Sequence, residues 1–186
     1  QVHYSTANTK KAIDLVFFVN GIPVATAELK TDFVQSVAHA VEQYKKDRLP
    51  KGAPLLAYAK GALVHFAVSN KEVHMTTRLA GDATMFLPFN RGNNHHAGNP
   101  PNPDGSAASY LWETILQRDT WLEIIDRFLH LEVTDRRDPD TGKKTRKETL
   151  LFPRFHQWEV VTKLGNAART EGPGHKYLVQ HSAGSG

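Results

Sequence analysis

Apolar and polar positions along this chain first follow a strand pattern and then a helical one. Residues 12–19 form a β-rich apolar run broken only by Asp14. Asn20-Gly21 follows, a pair that favours a tight hairpin turn. Residues 22–29 predict the second strand, with Pro23 near its start, where a missing N–H is tolerated. From 31 to 48 the period changes. Phe33, Val34, Val37, Ala38, Val41 and Tyr44 recur at three- and four-residue spacing, which predicts a helix stopped by Pro50. Its end is basic, Lys45-Lys46-Asp47-Arg48, as the helix dipole favours. Residues 54–60 predict a short helix, 63–68 a central strand, and 73–78 its partner across Ser69-Asn70-Lys71. The order β-β-α-(α)-β-β predicts an α/β fold with a mixed sheet flanked by helices. Gln1 to Ser5 reads as the end of a strand.

The second half is less regular. Residues 88–108 are rich in Asn, Gly, Pro and His and predict one long loop, which is functional or mobile when so long. Asn90 and Arg91 there would contact either DNA or another subunit, and the residues do not choose between them. Residues 110–117 and 121–129 predict helices, 155–164 another, and 177–180 a short strand. Trp112, Trp121 and Trp158 fall in helical segments and are expected in the core. The charged stretch 135–148 predicts an exposed hairpin or linker, and a domain boundary is expected near it.

Composition narrows the classes. With 186 residues and 40% hydrophobic content, the chain can bury a core. It has no Cys, which excludes disulfides and thiolate metal sites. The ten His are scattered, and neither His95-His96 nor His65 and His74 have carboxylates at ligand spacing. No apolar run is long enough to span a membrane, and no signal peptide opens the chain, so a cytoplasmic location is expected. A net charge of +4 and a pI near 9.3 suit a DNA partner without requiring one. The basic run Lys143-Lys144-Thr145-Arg146-Lys147 lies beside acids and reads as a solvated hairpin tip.

The candidate chemistry is Asp14, thirteen residues, then Glu28-Leu29-Lys30. Two carboxylates and a lysine in a buried hairpin are costly without partners. A divalent metal and an anionic substrate would supply those partners. Phosphodiester hydrolysis needs oxygen ligands for a metal, and a cation near the attacking water or the developing charge. Glu28 and Lys30 share a strand face. An uninterrupted hairpin around a two-residue turn would pair Asp14 with Ala27 and point Glu28 the wrong way. A three-residue loop or a β-bulge is therefore expected. A surface hairpin with charges on its wet face would carry the same short pattern, but the apolar flanks favour burial.

The segment from Asp14 to Lys30 resembles the PD-(D/E)xK nuclease motif of type I restriction enzyme R subunits. The likeness extends through Met75 to Gly81, the loop from Phe89 to Gly105, and Phe152 to Gln157. It implies a restriction-endonuclease-like sheet followed by the start of a helicase-like motor. It implies that Asp14 and Glu28 bind magnesium, with the Leu29 carbonyl as a further ligand, and that Lys30 assists the water or the transition state. The family often has a Gln four residues before a Tyr near the DNA. Tyr44 fits, Ala40 stands at the earlier position, and Gln43 and Gln35 are the substitutes. On this reading residues 1–135 are the endonuclease domain, lacking its first helices. Residues 136–150 are a linker or hairpin, and 151–186 begin the translocase. Gln157 would read adenine, and Gly184, Ser185 and Gly186 would open a phosphate loop with His181 ahead of it. The loop's Lys would lie beyond residue 186, so ATP is expected only in the full-length subunit. The implied partners are double-stranded DNA and the modification (M) and specificity (S) subunits, with no membrane. A nuclease-like module that docks DNA or subunits without cutting is the alternative.

Overall fold

The strands form where the apolar runs lie, and a tight turn joins the first long pair. The computed structural model describes all residues except 6–7, 32–34, 95, 138–140, 143 and 182–186. β1 (Val2–His3) pairs antiparallel with β2 (Ala12–Ile13). Beyond Asp14 the chain runs as β3 (Leu15–Val19) and returns as β4 (Ile22–Lys30). At the turn Asn20 and Gly21 have φ of 48° and 81°, and two positive values suit the right-handed twist of a hairpin. α1 (Val37–Lys46) then crosses to β5 (Val64–Ser69), which lies parallel to β4. Parallel neighbours need such a crossover. β6 (Val73–Thr76) and β7 (Leu87–Pro88) pair antiparallel, completing a five-stranded mixed sheet in the order β3-β4-β5-β6-β7. A π-helical turn at Leu111–Ile115, α2 (Arg118–Arg127), a hairpin of β8 (His130–Arg137) and β9 (Lys144–Leu151), and α3 (Phe155–Glu171) follow.

Both faces of the central strands are covered. On one face Ala25, Ala27, Phe66 and Val68 belong to a core with Phe89, Trp121, Ile124, Phe152, Phe155 and Trp158. On the other, Ala67 meets Ile13, Val37, Ala40, Tyr44, Leu56 and Leu79. Strands buried on both faces read as continuous apolar runs, which is why charges among them stand out.

Several elements differ from the sequence expectation. The first helix starts at Val37 with Ser36 as its N-cap, and the His39 ring accepts a 3.0 Å hydrogen bond from the Ser36 N–H. Phe33 and Val34 lie outside the described residues. Residues 54–60 form only a 3-10 turn at Pro54–Leu56. Trp121 and Trp158 are core residues, whereas Trp112 is 45% exposed, on the outer side of the π-helical turn. Residues 177–180 form no strand, since no strand pairs with them among the described residues. The charged stretch lies within the β8–β9 hairpin, and the chain then packs Phe152, Phe155 and Trp158 into the core of the sheet.

Candidate active site

The turn is two residues long, yet Asp14 and Glu28 still share a face. Val19 pairs with Ile22 and Phe18 with Pro23, but Phe17 pairs with Ala25, leaving Val24 as an extra residue in β4. This β-bulge shifts the register by one. Leu15 then pairs with Ala27, and the next step places Asp14 opposite Glu28. Of the two arrangements that would align the carboxylates, the chain adopts the bulge and not the three-residue loop. Val24 and Ala25 both contribute to one core, which gives the bulged residue an apolar partner.

Glu28 is fully buried. Its Oε1 accepts a 2.5 Å hydrogen bond from Arg48 Nε, within an ion pair whose guanidinium is itself nearly buried. Its Oε2 is buried and has no hydrogen-bond partner as an acceptor. Burial pushes the Glu28 carboxyl up to about 7, against the pull of Arg48 and with the help of the neighbouring Asp14 charge. Asp14 goes the other way. Burial raises it, but hydrogen bonds from the Leu29 N–H at 2.9 Å and Gln1 at 3.3 Å, a proton shared with Glu28, and the Lys30 charge together lower it. The pair thus holds one proton or needs one cation, because adjacent carboxylates resist joint ionisation.

Lys30 lies on the Glu28 side of β4, half-buried and near enough for its charge to act on Asp14. Leu29 points the opposite way, and its side chain is 44% exposed. Among the described residues no three His, Asp or Glu converge as a metal site. The available set is two carboxylates and main-chain oxygen. That donor chemistry, with one orphaned carboxylate oxygen, fits a hard divalent cation such as magnesium.

Beneath this pair lies a buried polar chain. Thr26 Oγ1 meets Tyr44 Oη at 2.8 Å and His65 Nδ1 at 2.7 Å. Burial pushes His65 down to about 3, so it is uncharged at neutral pH, and raises the Tyr44 hydroxyl well above its ordinary value. Tyr44, expected near DNA from the resemblance, is turned by α1 into the core, where its hydroxyl finds Thr26 and no atom reaches the surface. Gln43 is half-buried on the same helix, with its side-chain oxygen enclosed. Gln157 Oε1 accepts a 2.9 Å hydrogen bond from the Arg154 N–H and caps α3. Gly184, Ser185 and Gly186 lie outside the described residues.

Arg48 is the site residue that the sequence pattern does not reveal. It reads as one more charge at a basic helix end. The usable signal is indirect: a buried Glu28 demands a cation, and the helix after β4 ends in several.

A mixed α/β sheet with opposed carboxylates and a lysine on one face of a central strand is consistent with a nuclease-like fold. Residues 1–84 match the family model described as Type I restriction enzyme R protein N terminus. That stretch spans β1 to β6 and contains Asp14, Glu28, Lys30 and Arg48. This part of the chain is thus similar to the N-terminal region of type I restriction enzyme R subunits. No curated protein and no solved structure matches the chain. No helix among the described residues is long and apolar enough to cross a membrane.

Proposed function

We propose that Asp14, Glu28 and Lys30 form the DNA-cleaving site of a type I restriction subunit, hydrolysing phosphodiesters of double-stranded DNA with magnesium. The observation that carries this reading is the bulge at Val24. It brings Asp14 opposite Glu28, so that a proton or a cation must stand between two adjacent carboxylates. A purely structural hairpin has no need of that arrangement.

Asp14, Glu28 and the Leu29 carbonyl would hold the metal. Bound there, magnesium would polarise the phosphate and acidify a water. The residues of the chain do the rest. Arg48 opposes the protonation that burial favours at Glu28. Lys30 supplies a cation on the same face, placed to orient the water or meet charge developing on the phosphate. Burial of Glu28 limits competing solvent on its side of the site, which strengthens the interactions made there. Double-stranded DNA is the substrate, and the M and S subunits are the partners that the family match supports. In the longer subunit, ATP-driven translocation would precede the cut.

The test is nicking of supercoiled plasmid by the assembled restriction complex in magnesium. Asp14→Ala and Lys30→Ala are each expected to lower cleavage by about a hundredfold or more, with translocation along DNA retained. Wild-type cleavage in both variants would refute the assignment.

A further inference from the structure

The side chain of Arg48 has a geometry that ion pairing alone does not explain. Its guanidinium can grip both oxygens of a carboxylate in a fork, the usual strong arrangement. Here Nε takes only Oε1 of Glu28. The second oxygen is buried and accepts no N–H or O–H from another side chain, so beside Asp14 only a proton shared between the two carboxylates or a cation can satisfy it. Arg48 sits just beyond α1, with its backbone N–H donating to the Gln43 carbonyl at 3.2 Å. The helix end therefore sets where the guanidinium stands. The enclosed hydroxyl of Tyr4 lies beside the pair.

We propose that Arg48 is a positioning residue. It fixes the Glu28 carboxylate in one rotation, so that Oε2 and Asp14 converge as a preformed site for a divalent cation. This rests on the nuclease reading for the purpose of the site. Electrostatics and positioning predict opposite signs. Arg48 is a positive charge close to a cation site, so with Glu28 ionised its removal would by charge alone tighten metal binding. Loss of orientation would weaken it, and Arg48→Lys, which keeps the charge that opposes Glu28 protonation, isolates that loss. Groups that orient metal ligands typically change affinity ten- to a hundredfold when lost.

The experiment is calorimetric titration of Mn²⁺ into the full chain for wild type, Arg48→Met, Arg48→Lys and Asp14→Ala, with circular dichroism to establish folding. Arg48→Met is expected to weaken binding about 10- to 100-fold. Arg48→Lys keeps the charge but not the planar donor, and should fall between it and wild type. Asp14→Ala should bind no metal. Affinity equal to or tighter than wild type in Arg48→Met overturns the role of Arg48. Should Arg48→Met not fold, wild-type or tighter affinity in Arg48→Lys overturns it. In either case loss of binding in Asp14→Ala leaves the nuclease reading standing. Absence of binding in wild type, or its retention in Asp14→Ala, overturns the metal site itself and this inference with it.

Discussion

The β3–β4 and β8–β9 hairpins both carry acids and bases, but one buries them and the other does not. β8–β9 pairs eight residues on each strand without a register shift. Arg137 stands directly opposite Lys144, a like-charge pair that is tolerable only in water. Arg146 and Glu148 form a 3.2 Å ion pair with side chains 65% and 43% exposed. The hairpin is tied to the body near its base, where Tyr58 Oη accepts from the Leu150 N–H at 2.8 Å and Thr77 donates to the Leu150 carbonyl at 2.7 Å. β3–β4 breaks its register once and encloses Glu28 completely. The same residue types thus have different energetic weight. In the exposed ribbon water screens them, and in the sheet the buried Glu28 depends on Arg48.

Replacing Glu28 should give the largest effect on stability. Glu28→Ala leaves Arg48 nearly buried without its carboxylate, and about 3–5 kcal/mol of folding stability is expected to be lost in urea unfolding. A loss under about 1 kcal/mol would erase the contrast between the hairpins. A smaller effect concerns pH. The folded-state value of Glu28, about 7, lies above its ordinary 4.5. Between these values the folded chain holds a proton that the unfolded chain has released, so this group lowers stability as pH rises through that window. His65, at about 3 against 6.5, does the reverse: the unfolded chain binds the extra proton, so stability is lost as pH falls below 6.5. In the metal-free protein the two slopes oppose one another between about 4.5 and 6.5. Glu28→Gln removes one, and its stability should rise with pH from about 3 to 6.5. A pH profile identical to wild type would contradict the burial of Glu28. The smallest effect is expected at the ribbon. Arg146→Ala should change stability by no more than about 0.5 kcal/mol, and a loss of several kcal/mol would show that the ribbon charges are not merely solvated.

Much of the sheet is legible in the residues, because its signals are local. Asn20-Gly21 marks the turn, and the change from strand to helical period marks the crossover. Counting side-chain parity from Asp14 to Glu28 is enough to require an irregularity, although it does not place the extra residue at Val24. What escapes is set by distant contacts. Tyr44 belongs to a regular apolar face, and only the packing of α1 shows that its hydroxyl ends on Thr26 and not at the surface. Arg48 sits at a helix end, where a basic residue already has a sufficient local explanation. Phe152, Phe155 and Trp158 follow a charged stretch that looks like a boundary, yet they complete the core behind Ala25 and Ala27. The apolar run 177–180 has strand composition, but composition cannot supply the neighbouring edge that a strand requires.

The extra residue at Val24 has a consequence for how such sites are recognised. Motif spacing is counted in residues, whereas orientation across a pleated sheet is counted in twos. A related chain with twelve or fourteen residues between its carboxylates could keep them together only by losing this irregularity or gaining another. A search pattern that lets the spacing drift freely by one therefore mixes two populations: chains whose acids meet and chains whose acids face away from each other. Parity, with each bulge counted as a single step, is the better ruler.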